Sequence, residues 1–296
     1  MTSRPERGLV LGGGGVSGIA WEVGVLWGLA EAGVDLTTAD TILGSSAGSV
    51  VGALVGTGVP LEEVYAAQSE AESAAANAGT EPPPPGSEVG VISKRPIARV
   101  LLAQAGPLGS PRAMKMLGRW AHKPFHRPPS DLRAVFAERL PVHTWPEHPR
   151  IIATAIDTRT GALHLLDKDS GAELVDAVTA SCSVPGVWPP VRIKGADYMD
   201  GGLRNAVNAD LIGDHDRVVI IAPQPRSIRR SSHAVVQAKK LGPDVRTAVV
   251  IPDRAGMAAM GRNLLDPGNA AAAARAGRAQ GAEAAARVRA VWTDQG

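Results

Sequence analysis

The chain has 296 residues, a formal net charge of +2 and 44% hydrophobic residues. That length fits one large α/β domain, or one domain with an insertion, better than two equal ones. The ordinary apolar content excludes a wholly disordered chain, and the near-neutral balance gives no reason to expect nucleic acid as a partner. With only two Phe and two Tyr, the core has to be built from aliphatic side chains and alanine. The single cysteine, Cys182, excludes an internal disulfide and fits a reducing compartment. The N-terminus, Met1 to Arg7, lacks the apolar core of a signal peptide, and no apolar run is long enough to span a bilayer. The expectation is a cytoplasmic protein, with any membrane contact confined to its periphery.

Leu9-Val10-Leu11 reads as a buried strand that runs into Gly12-Gly13-Gly14-Gly15-Val16-Ser17-Gly18. Large apolar residues then recur at helical spacing from Ile19 to Leu29, and Gly33 is placed to end that helix. Two chemistries suit the glycine loop. Gly13-x-Gly15-x-x-Gly18 satisfies the dinucleotide fingerprint, which also needs an acidic residue at the end of the next strand. The alternative is a set of exposed backbone N–H groups at a helix N-terminus, serving as an oxyanion hole. The next strand ends in Gly44-Ser45-Ser46, not in an acid, which favours the oxyanion reading. That strand opens the second motif, Gly44-Ser45-Ser46-Ala47-Gly48, before the apolar run Ser49 to Val55. Strand, G-x-S-x-G turn and helix make a nucleophile elbow, with Ser46 at the tightest bend and Ser45 as a turn residue.

Pro60 to Tyr65 starts another helix, which decays into the four prolines of Gly79 to Ser87, a loop or hinge. From Val91 to Ser130 there is no acidic residue, while Lys94, Arg95, Arg99, Arg112, Lys115, Arg119, Lys123 and Arg127 alternate with apolar side chains. This stretch reads either as a basic amphipathic cap that meets anionic lipid or as a helical insertion whose cations are simply solvated. His122 and His126 have i, i+4 spacing but no acidic partner nearby, so they are surface residues and not metal ligands.

Leu132 to Phe136 is a short helix. Arg150 to Asp157 and Ala162 to Leu166 form a hairpin around the turn Thr158 to Gly161, and Glu173 to Ala180 is an amphipathic helix. Ser181 to Pro190 is a proline-rich turn in which Trp188 and Pro189 would make a rigid apolar wall against substrate. Asp200 ends a short strand and enters Gly201-Gly202, where it either forms an Asx turn or approaches a neighbouring loop. Arg217 to Ala222 and Ala248 to Ile251 are further strands, and 268–292 is an alanine-rich C-terminal helix.

Taken together, the glycine loop, the serine elbow and the distant Asp-Gly-Gly resemble the patatin-like phospholipase family, over about Gly8 to Leu203. Gly13 to Gly18 corresponds to its G-G-G-x-R/K-G motif, Gly44 to Gly48 to its G-x-S-x-G, and Asp200-Gly201-Gly202 to its D-G-G/A. Val184 to Pro190 also looks like the family's segment before the aspartate. Ser17 departs from the pattern, standing where the family has Arg or Lys. The resemblance implies a patatin-like three-layer α/β fold: a mostly parallel central sheet flanked by helices, as one domain over 1–296 with a basic helical cap at 60–140. It also implies a lipid acyl hydrolase, a serine esterase with Ser46 as nucleophile, Asp200 as general base without a histidine, and an oxyanion hole from Gly13, Gly14 and Gly15. The partners would be a lipid ester substrate and a membrane surface touched peripherally by the basic 91–130 region. No metal or cofactor is required.

Three rivals stand beside this reading. A Ser-Asp-His triad would use Ser46, Asp200 and His215 or His233, although that fold expects several strands before its elbow. The Ser17 departure leaves room for a weakly active or inactive lipid- or partner-binding protein. Nucleotide binding at the glycine loop is the third.

Overall fold

The computed structural model describes residues 7–77, 110–122, 129–225 and 229–293. The proline-rich stretch 79–87 lies outside them, as do Lys94, Arg95, Arg99, Lys123, His126 and Arg127 of the basic region.

Strand β1 (Arg7–Leu11) leads through Gly12 to Gly14 into helix α1 (Gly15–Glu31). Strand β2 (Thr41–Gly44) leads through the elbow into α2 (Ala47–Gly56), and α3 (Leu61–Asn77) follows. After α4 (Pro111–Ala121) and α5 (Pro129–Arg139) come β3 (Arg150–Asp157), β4 (Leu163–Leu166) and α6 (Leu174–Ser181). The hairpin β5 (Val191–Ile193) and β6 (Ala196–Asp200) precedes β7 (Arg217–Ile221), α7 (Ala234–Lys240), β8 (Arg246–Val250), α8 (Arg254–Met260) and α9 (Ala270–Trp292).

The strands form one sheet in the order β5-β6-β3-β2-β1-β7-β8, with β4 paired to β3. The centre, from β3 to β8, is parallel, whereas β4 and β6 run antiparallel to β3. Alternation along the strands buries both faces, as a central parallel sheet requires. Leu9, Leu11, Val219 and Ile221 pack against α1, α2 and α9, while Val10, Val218 and Ile220 pack against Val207, Ile212 and α7. This is the expected mixed α/β layering.

Helices α1 and α9 meet through glycines. A Cβ on Gly24 or Gly28 would strike the Ala274 or Arg278 carbonyl, and one on Gly277 or Gly281 the Trp21 or Val25 carbonyl. Two small-residue stripes thus let the backbones touch. Arg278 then reaches Glu31 at 2.6 Å and Trp292 Nε1 donates to Asp35 O at 2.9 Å, fastening the C-terminal helix beside the first.

The described parts of 60–140 are not one cap. Helix α3 belongs to the main helical layer, with Val64 in the principal core and Tyr65 stacked on Trp27 at 6.2 Å. Helix α4 lies on the other face, with Met114, Leu117 and Ala121 packed on Ile156, Met199 and Leu203. The physical reason is the placing of their apolar side chains, which face different cores. Arg112, Lys115 and Arg119 project from α4 beside the 70% exposed Met116, and His122 Nε2 sits 2.9 Å from Thr158 Oγ1. Among the described residues no helix is long and apolar enough to cross a membrane.

Candidate active site

The carboxyl ends of β1 and β2 bring the two N-terminal motifs together, where the chain order turns from β2 and β3 on one side to β7 and β8 on the other. Such a crevice is where open α/β sheets bind ligands. Ser46 sits between β2 and α2 with φ 52° and ψ −117°, a conformation that non-glycine residues rarely hold. The elbow tolerates no bulk on either side. A Cβ on Gly48 would run into the Leu11 carbonyl, and one on Gly44 into Gly48 O and Ser49 Cα. The motif's glycines are therefore dictated by close approach. Ser46 N donates to Ser181 Oγ at 3.0 Å, and Ser49 Oγ to Ser46 O at 2.7 Å, holding the bend from both sides.

Asp200, at the end of β6, faces the same cavity and is buried, 3% exposed. Gly202 N donates to its Oδ1 at 2.7 Å. Burial pushes its pKa up to about 7, against the opposing pull of contacts from Ser46 and the Gly202 amide.

A buried network joins the two motifs, and sequence reading missed it. Ser45 Oγ lies 2.8 Å from Thr154 Oγ1 on β3, and Asn208 Nδ2 donates both to Ser45 Oγ at 2.9 Å and to Gly201 O at 3.3 Å. Asn208 holds φ 54°, a left-handed conformation that Asn tolerates better than most. A Cβ on Gly201 would collide with Thr154. Ser45 is thus an anchor of the elbow as well as a turn residue.

The glycine loop differs in detail from expectation. Helix α1 begins at Gly15, so Gly15 to Gly18 form its first turn. Gly13 N donates to Ala206 O at 2.7 Å, which corrects the expectation that this amide is free for an oxyanion. The N–H groups of Gly14 and Gly15 have no backbone partner among the described residues. Ser17 is fully buried, and both its N (3.1 Å) and its Oγ (3.3 Å) donate to Leu264 O. The position where the resemblance expects a cation is therefore neutral and ties the loop to the chain between α8 and α9.

Gly13, Gly14, Gly15, Ser46 and Asp200 line one cavity of about 650 Å³. Its walls are mostly apolar: Ile19 from α1, Leu132 and Phe136 from α5, Val187 and Trp188 from the proline-rich turn, and Leu264 and Leu265. Trp188, named from the sequence for an apolar wall, is among the lining residues. Pro189 does not line the cavity; it lies behind, buried, with its carbonyl accepting from Ser183 Oγ. The physical reason is its place in the chain, buried two residues before β5. Cys182 lines the cavity and donates to Ser46 O at 3.4 Å, and burial raises its pKa far enough to keep the thiol protonated.

The histidine alternatives are overturned. His215 is buried against Gly8, at the start of β1, and its Nδ1 pairs with Asp214 at 2.7 Å. Ser46 lies at the other end of that sheet, four residues or about 13 Å away along the strand. His233 precedes α7 and is absent from the cavity lining.

A family model described as patatin-like phospholipase matches residues 9–212. Among solved structures, VipD from Legionella pneumophila is similar at 14% identity and TM-score 0.39, covering 74% of this chain and 50% of that one. The type III effector protein ExoU is similar at 17% identity and TM-score 0.40, covering 98% of this chain and 54% of that one. This chain spans about half the length of either. The match of the family model runs over well more than half of the sequence, and the chain belongs to the patatin-like phospholipase family.

Proposed function

We propose that this protein is a serine acyl hydrolase that cleaves carboxylic esters of lipids through Ser46 and Asp200. The observation that carries the reading is the strained Ser46 elbow beside a buried Asp200 in an apolar cavity. Ser46 Oγ attacks the ester carbonyl as its proton passes to Asp200. The tetrahedral oxyanion is held by the N–H groups of Gly14 and Gly15 at the start of α1, where the helix dipole adds to their effect. Collapse releases the alcohol with the proton from Asp200 and leaves an acyl-enzyme on Ser46. Asp200 then takes a proton from water as the water attacks the acyl carbonyl, and the second collapse returns the serine.

An aspartate at its usual pKa of about 3.9 is a weak base for a hydroxyl, so the rise to about 7 suits the role. Two groups of this cavity favour lipid over a polar ester. The walls are apolar, and Leu203, on the lining, also packs against α4, whose outer face carries Arg112, Lys115, Arg119 and Met116. That face is the described part of the basic region, and it suits peripheral contact with an anionic lipid surface. Its proximity to the cavity would place the catalytic serine near substrate in a bilayer.

Turnover of acyl esters by the wild type, Ser46→Ala and Asp200→Asn tests the reading. Each substitution is expected to lower kcat by roughly 10²-fold or more while the fold is retained. Full activity in either variant would sink the dyad.

A further inference from the structure

Helix α5 presents Leu132, Val135, Phe136 and Arg139 to the Ser46 cavity, with spacing i, i+3, i+4 and i+7 along one helical face. The first two turns of that face are apolar. The last turn ends in a guanidinium. Arg139 is the one cation among the residues that line the cavity, and it is exposed at its edge. Arg139 shares that lining with Ser46 and with Cys182, whose thiol donates to Ser46 O at 3.4 Å. No carboxylate among the described residues pairs with Arg139, whereas Arg133, on another side of α5, is forked to Glu173 at 2.7 Å and Asp176 at 2.6 Å. That pair of contacts clamps α5 to α6 and fixes the direction of the lining face. Asp131 lines the cavity at the opposite end of the helix, eight residues or about 12 Å from Arg139. The lining is therefore polar-signed: it repels an anion at one end and attracts it at the other, with an apolar path between. Ser17, where the family resemblance expects a cation, is buried and neutral and supplies no such charge.

We infer that Arg139 forms an anion subsite at the edge of the cavity and holds the phosphate of a phosphate-bearing lipid ester, with the acyl chain along Leu132, Val135 and Phe136. This rests on the hydrolase reading above and makes Arg139 a specificity residue of it. A planar guanidinium suits a phosphate through paired N–H donors, which an ammonium reproduces only as a point charge.

The test compares two soluble esters with the same acyl chain, a monoacylglycerol and an acylglycerol phosphate, below their aggregation limits. The full-length wild type is expected to favour the phosphate ester by roughly tenfold or more in kcat/KM, as one charged hydrogen-bonding contact warrants. Arg139→Gln should abolish that ratio, chiefly through KM for the phosphate ester, and Arg139→Lys should keep part of it. A ratio near one in the wild type, or the same ratio in Arg139→Gln, overturns the inference. Inorganic phosphate that inhibits hydrolysis of the neutral ester as strongly as the phosphate ester competes would place a free-phosphate site there and overturn the headgroup assignment. Labelling of Ser46 by a fluorophosphonate separates the two levels. Labelling with no phosphate preference refutes the subsite alone, and absence of both labelling and turnover refutes the hydrolase reading and the subsite with it.

Discussion

Asn208 Nδ2 lies 2.9 Å from Ser45 Oγ, so the residue before the nucleophile is tied to the turn that follows Asp200. The same amide reaches Gly201 O, and Ser45 reaches Thr154 on β3. Two loops that are 155 positions apart in sequence (Ser45 to Asp200) are thus held at a fixed separation by one buried amide. Asn208→Ala leaves Ser45 Oγ and Gly201 O with fewer partners and is expected to cost about 1–3 kcal/mol of stability. It should lower kcat more than it changes KM, because the dyad loosens while the apolar walls stay. Denaturant melts with steady-state kinetics check this, and an unchanged kcat in a destabilised variant would refute the positioning role.

The pH dependence of kcat/KM follows from Asp200. Burial raises its pKa to about 7, so the base is half protonated near neutrality and active when ionised. The rate is expected to climb with pH and level off about one unit above the apparent pKa. A profile flat from pH 5 to 9 would contradict Asp200 as the base. Asp200→Asn should in turn be more stable than the wild type at pH 8, because it removes the cost of ionising a buried carboxyl.

Glu22 is fully buried on α1, neither carboxyl oxygen has a hydrogen-bond partner among the described residues, and burial raises its pKa well above the usual range. The sign of its effect is fixed by linkage. The folded pKa exceeds the unfolded one, so wild-type stability is full below the unfolded value and falls as pH rises toward the folded value. Glu22→Met keeps the volume and removes the ionisable group. Its stability advantage should be small at pH 4 and grow toward pH 8, as measured by urea melts across that range. Parallel curves for the two proteins would show that Glu22 has the same pKa folded and unfolded and would contradict the shift.

Ser17 is buried and bound to Leu264 O through both N and Oγ, so restoring the family cation is expected to harm the protein. Ser17→Arg places an unpaired charge in the interior and should cost about 3 kcal/mol or more. Activity is expected to fall with it, since Leu264 also walls the cavity. Thermal melts and turnover would decide, and a stable variant with raised activity would show that the loop has room for the cation.

What could be read from the sequence was whatever local geometry dictates. Gly44 is forced by the approach of α2, Gly48 by Leu11 and Gly201 by Thr154, and Gly15 holds a positive φ that favours glycine. These needs leave short, spaced signatures. The β3–β4 hairpin and the long C-terminal helix were legible for the same reason, from alternation and from alanine. The rest is assembled from afar. Arg139, Asn208 and Leu264 reach the site only through the packing of α5, the turn after Asp200 and the segment before α9, and none has a local pattern that marks it. Gly13 looked like an oxyanion donor because nothing in its neighbours reveals the Ala206 carbonyl that takes its N–H. The short helices α7 and α8 and the strand β5 fell below the length at which periodicity speaks.

The most direct test of the account is labelling by a fluorophosphonate probe, with peptide mapping, on the wild type and Asp200→Asn at pH 8. The account predicts a single adduct on Ser46 in the folded wild type and a rate lower by roughly 10²-fold or more in the variant. Equal labelling of Ser46 in both proteins, or no adduct on a folded wild type, would contradict a Ser46 nucleophile activated by Asp200.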